Sequence, residues 1–268
     1  MFFANQFLIR KAHLSEQLSA HISEFPKDTH EVAWDAARVL QAIEEQHGIL
    51  VERAHQLYAF SHLTFQEYLT AKHIVENSYD QTVITKLESC AGNDQWREVL
   101  ILTASLLGNA QVLFASMQRA MKAAIRAVPG LAHEIENAVQ SSPNLSVSVA
   151  VPDAQATQVI GCFNGDRTLR AARHESAHDL ALQIAASRHY ERGNGAAVHR
   201  ARALAAALSN GESQLSKWLE KNMDSLSRPI ALAAYLRINV AYCDCLNVAT
   251  VRNRASLEDV ILKPFLLL

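Results

Sequence analysis

His174, Glu175 and His178 stand in the order His-Glu-x-x-His inside a stretch that reads as helix. Histidines four apart share one helical face and could hold Zn²⁺ while the glutamate activates a metal-bound water, as in a zinc metallopeptidase. The surroundings argue against that chemistry. Arg173 and Asp179 flank the motif with charge, and a third ligand would have to come from Glu191, His199 or Glu212, none of which sits in a companion motif. No substrate-aligning sheet is evident. The expected reading is a solvated helix face with no bound metal, and the metallopeptidase stands as the alternative. Cys243 and Cys245 are two apart with no second Cys or His pair nearby, and Cys90 and Cys162 are scattered, so neither a zinc knuckle nor a disulfide scaffold is expected. Arg167, Arg170, Arg173, Arg188, Arg192, Arg200 and Arg202 form a basic stretch. Asp166, Glu175, Asp179 and Glu191 interleave with it, which predicts a charged solvent-facing surface rather than a nucleic-acid contact. The chain has no G-x-S-x-G elbow for serine hydrolysis.

The elements that would carry these residues are helical. The 268 residues are 49% hydrophobic, carry a net charge of −2 and include only 9 Gly and 6 Pro. That composition excludes disorder, collagen and turn-rich β architectures. The near-neutral charge lacks the footprint of a dedicated nucleic-acid binder. No apolar run reaches the ~18 residues that a membrane span requires. Met1-Phe2-Phe3 is soon followed by Lys11, His13 and Glu16, so no signal peptide is expected. These features predict a soluble, cytoplasmic, mainly helical protein.

Val32, Trp34, Ala36, Val39, Leu40 and Ile43 recur at helical spacing, which predicts a helix over 31–46 with Asp28 and Glu31 at its start and Gly48 at its end. Ile49-Leu50-Val51 and Leu57-Tyr58-Ala59-Phe60 then read as a hairpin. Thr64-Phe65-Gln66-Glu67 has capping-box form and predicts a helix to about Asn77 that buries Phe65, Tyr68, Leu69 and Ile74. Helix, hairpin, helix is the tail of a winged helix-turn-helix. Further helices are predicted from Gln95, over 110–128 and 131–140, and over 167–190, 197–208 and 212–223, then from Arg228 to Asn247 and from Ser256 to Leu262. Ser141-Ser142-Pro143-Asn144 reads as a linker, with an alternating stretch after it at 145–151 that is either a strand or an extended connector.

Phe60-Ser61-His62-Leu63-Thr64-Phe65-Gln66-Glu67-Tyr68-Leu69 strongly resembles the motif that closes the NACHT module of STAND-type NTPases. Trp96-Arg97-Glu98-Val99-Leu100 is similar to the helical segment that follows it in bacterial members. The stretch from Cys245 through Leu257-Glu258-Asp259 to Leu262 is similar to a helical domain ending many of them. The resemblance implies that His62 contacts the β-phosphate of ADP in the closed state. An imidazole N–H is a good phosphate donor, better when cationic, and the loop before a helix favours anions. No G-x-x-x-x-G-K-[ST] sequence occurs, so no P-loop lies within these residues and the chain alone is not expected to be an ATPase.

The expected fold is therefore mainly α: a winged-helix remnant with a short β-hairpin, followed by an α-helical array. The domains would be the end of the winged helix at 1–77, a helical linker domain at 78–142 and a C-terminal helical domain at 143–268. The resemblance implies a regulatory, sensing and interaction region serving antiviral defence or signalling. ADP or ATP would be held through a NACHT NTPase core in cis or in trans, and self-oligomerisation would follow activation by an unknown trigger. Neither membrane nor nucleic acid is an expected partner.

Overall fold

A computed structural model describes residues 8–24, 35–140, 177–186, 195–221 and 227–264. The chain divides into two compact units, Met1–Glu76 and Asn77–Leu268. The division expected near Ser141–Asn144 and the alternating stretch at 145–151 lie outside the described residues.

The first unit begins with a two-residue strand β1 (Ile9–Arg10) that runs directly into α1 (Lys11–Glu24). Helix α2 (Ala36–Glu45) follows, capped by Asp35, whose carboxylate accepts from the Ala37 N–H at 3.2 Å. The cap expected at Asp28 lies outside the described residues, and the helix starts later than its apolar periodicity suggests because Asp35 is already extended. Gly48 takes φ +58°, the left-handed conformation that ends a helix at low steric cost. The hairpin of β2 (Leu50–Ala54) and β3 (Leu57–Phe60) then forms, with β1 added antiparallel on the other side of β3, giving the order β1-β3-β2. Tyr58 is central to both registers, opposite Ile9 and Glu52. Ile9, Leu14, Leu40, Leu50 and Tyr58 form the core, with Leu18, Ile43 and Phe60 packed against it. This is a winged helix-turn-helix, and it uses a strand and helix at its N-terminal side that the hairpin reading alone does not reveal. Helix α3 (Leu63–Glu76) leaves the end of β3 after only two residues.

The second unit is built on helices throughout its described residues. In chain order these are α4 (Gln81–Cys90), α5 (Arg97–Leu106), α6 (Gln111–Arg126), α7 (Leu131–Gln140), α8 (Ala177–Ala186), α9 (Gly195–Ser209), α10 (Gln214–Lys221), α11 (Ser227–Val248) and α12 (Arg254–Asp259). Helix α11 is the centre, packing on α5, α6 and α8, while α8 and α9 pair closely. Phe114 and Tyr242, both fully buried, meet edge to face with centroids 4.8 Å apart. An Arg97–Asp244 ion pair, in which Nε and Nη2 both lie 2.7 Å from the one oxygen Oδ2, ties the start of α5 to α11. Gly130 at φ +88° turns the chain between α6 and α7, where an added Cβ would lie 3.4 Å from Trp218. No described helix is long and apolar enough to cross a membrane.

Candidate functional site

The residue between β3 and α3 that carries the expected chemistry is His62, and its backbone is fixed from two directions. The Ser61 N–H donates to the Ile49 carbonyl at 2.9 Å, at the entry to β2. The Ser61 carbonyl accepts from Arg53 Nη2 at 3.3 Å, near the far end of β2. Ser61 Oγ is buried and makes no hydrogen bond, so the anchoring is done by main chain and arginine. His62 is thus held on the wing as well as on the helix. Its own carbonyl accepts from the Phe65 N–H at 3.2 Å, which starts the first turn of α3.

The helix starts at Leu63, so Thr64 lies inside the first turn and not at the cap expected for it. The short tether to β3 decides this, since Ser61 is already spent on the hairpin. The first turn contains no acidic residue. The partial positive charge of the helix N-terminus therefore has no carboxylate in that turn, and the exposed imidazole of His62 stands beside it. The His62 and Phe65 rings are 6.1 Å apart and tilted by 54°. A helix start with an imidazole at the residue before it is a position that favours an anion.

Of the four residues expected to be buried on α3, only Ile74 is. Phe65, Tyr68 and Leu69 are 39–42% exposed, whereas Gln66 and Glu67 are each 4% exposed. Ala71 and Ile74 complete the buried stripe. Positions 66/67, 70/71 and 74 therefore face inward, and the apolar stripe 65, 68/69 faces outward. Exit from β3 sets the rotation of the helix, overriding the apolar pattern. The consequence is an exposed aromatic and aliphatic face next to His62.

The alternative metal centre is not assembled among the described residues. His174 and Glu175 lie outside them, and His178 is the second residue of α8. Of the third-ligand candidates, Glu191 also lies outside. His199 is exposed on α9, and Glu212 pairs with Lys217 at 2.6 Å. Among the described residues no group of three or more His, Cys, Asp or Glu could hold a metal ion. Cys243 and Cys245 are fully buried in α11, where desolvation pushes the Cys245 thiol well up and away from the thiolate a metal requires. The basic stretch needs one correction. Arg200 is 9% exposed, and its Nε donates to the Ile261 carbonyl at 2.9 Å, so it is an internal tie and not part of a solvated surface.

The winged helix-turn-helix of the first unit, with a histidine at the junction of its wing and its following helix, belongs to a recognisable class of module. Residues 6–74 match the family described as a winged helix-turn-helix domain C-terminal to NACHT, which supports a C-terminal portion of a NACHT protein. No curated protein and no solved structure matches the chain.

Proposed function

We propose that this chain is the regulatory and interaction region of a NACHT-type STAND protein, acting in antiviral defence or signalling. A NACHT NTPase core, in cis or in trans, holds ADP with the help of His62. A trigger sensed through the helical array then releases that contact, and the core exchanges nucleotide and self-associates. The observation that carries this reading is the junction itself: an exposed His62 pinned through Ser61 to both ends of β2, at the start of a helix that displays Phe65, Tyr68 and Leu69. A fixed imidazole beside a helix start can report the presence of a phosphate, and an adjacent apolar face can dock the protein that carries it. Acting alone, the chain has no P-loop sequence with which to bind triphosphate and is not an ATPase.

The test is His62→Ala in the chain assembled with its NACHT core, with bound nucleotide read by chromatography after purification. The expected result is at least a tenfold loss of retained ADP and a shift toward autoactivity, with folding intact. An assembly as silent and as ADP-loaded as wild type would end the sensor role.

A further inference from the structure

In the second unit, the segment after α11 is held by side chains that bond its backbone. Asn239 and Tyr242 lie three residues apart on α11 and are both fully buried. Asn239 Oδ1 accepts from the Leu262 N–H at 3.1 Å, while its Nδ2 donates to the Tyr235 carbonyl at 2.8 Å. The Tyr242 hydroxyl donates to the Leu257 carbonyl at 3.2 Å and accepts from Gln118 Nε2 of α6 at 3.0 Å. From α9, Arg200 donates to the Ile261 carbonyl. Two helices, α11 and α9, therefore bond three backbone groups within six residues, and α6 supports the Tyr242 hydroxyl from behind. Between those groups, Leu257, Ile261 and Leu262 insert as apolar anchors, each no more than 3% exposed.

The segment itself is poorly suited to stand alone. Helix α12 has six residues, too few to be stable without tertiary support. Two of the positions around it, Asn253 at φ +55° and Leu262 at φ +56°, hold the left-handed conformation, which is unfavourable for leucine. Its order depends on the face of α11 that receives it. That face, in turn, presents an amide and a phenol that bond the segment's main chain when it is docked, and Arg200 Nε adds a third such bond from α9.

We propose that residues 253–264 are a releasable strap: an intramolecular ligand of the Asn239–Tyr242 face of α11 that opens without unfolding of the array. Release uncovers three apolar anchors and a buried face able to bond peptide backbone, which gives the array two surface states. The strap does not depend on whether a NACHT core engages α3.

Hydrogen exchange of the full chain, followed by mass spectrometry, tests this. Segments that open by themselves exchange faster than the helices they cover. In wild type, amides of 253–264 should exchange at least tenfold faster than those of 239–246. Asn239→Leu should accelerate the strap a further tenfold or more and leave 97–106 and 111–126 unchanged. Tyr242→Phe keeps the ring against Phe114 and should act in the same direction by a smaller factor, so the reading survives if Asn239→Leu fails to fold. Equal exchange of the strap and α11 in wild type, or parallel acceleration of both in a folded variant, would overturn the strap.

Discussion

The two units place their large apolar residues differently. In the array, Phe114, Met117, Met121, Leu131, Tyr235 and Tyr242 are all fully buried, while Tyr79, Ile230 and Val248 are among those exposed. In the winged helix, the described core cluster is built around Ile9, Leu14, Leu40, Leu50 and Tyr58, and the helix that leaves it turns Phe65, Tyr68 and Leu69 outward while burying Gln66 and Glu67. Charge divides in the same way. Residues 1–76 hold six Lys and Arg against ten Asp and Glu, net −4, and residues 77–268 hold nineteen against seventeen, net +2. An acidic winged helix is a poor partner for a phosphate backbone. The lesson is that burial identifies the scaffold, whereas departure from the burial pattern identifies the surface that needs a partner.

The comparison breaks most readily in the array. Phe114→Ala removes a fully buried ring and should cost about 3–5 kcal/mol in denaturant unfolding. His62→Ala should do the reverse, changing stability by less than about 0.5 kcal/mol while costing tenfold or more in ADP retention by the assembly. A loss of stability comparable to Phe114→Ala would make His62 a structural residue. Tyr58 gives a subtler contrast. Its hydroxyl donates to Glu44 Oε2 at 3.0 Å, and burial, reinforced by that carboxylate, pushes its pKa up to about 12. A phenol whose pKa is raised on folding supports the fold fully below its ordinary pKa near 10 and loses that support as pH rises toward 12. The winged helix should therefore weaken between about pH 10 and 12. Tyr58→Phe should remove that part of the pH dependence, at a cost of about 1–2 kcal/mol at neutral pH for the lost bond to a charged acceptor. The smallest effect concerns metal. Purified chain should carry no stoichiometric zinc, and His178→Ala should leave metal content unchanged. One zinc per chain, lost in that variant, would replace the switch with the peptidase.

Much of the architecture is written in local signals. The hairpin follows from two β-prone runs around a polar turn, Gly48 stops α2, and the described helices from α5 onward lie close to their apolar periods, with only Ala177–Ala186 of the helix expected over 167–190 among the described residues. The elements that local patterns miss owe their order to distant partners. Strand β1 is two residues long and exists through pairing with Tyr58 and Leu57. Helix α1 has a thin apolar stripe, Leu14 and Leu18, that matters only beside the wing. The junction that carries His62 is legible because its decapeptide is distinctive. The face beside it is not, because an apolar stripe at helical spacing reads as core whichever way the helix is rotated. The tie from Arg200 to Ile261 spans sixty-one residues and leaves no local trace at all.

The central claim is that the His62–Leu69 face meets a NACHT core, and co-purification tests it most directly. Tagged chain would be isolated from its native cells, the partner identified by mass spectrometry, and the reading frame around the gene sequenced. The account predicts a P-loop NTPase, in the same polypeptide or bound to it. In the trans case, Phe65→Ser with Tyr68→Ser should abolish its capture while leaving the chain folded. A chain that comes down without any P-loop NTPase in cis or in trans, or that retains one undiminished in the double variant, would contradict it.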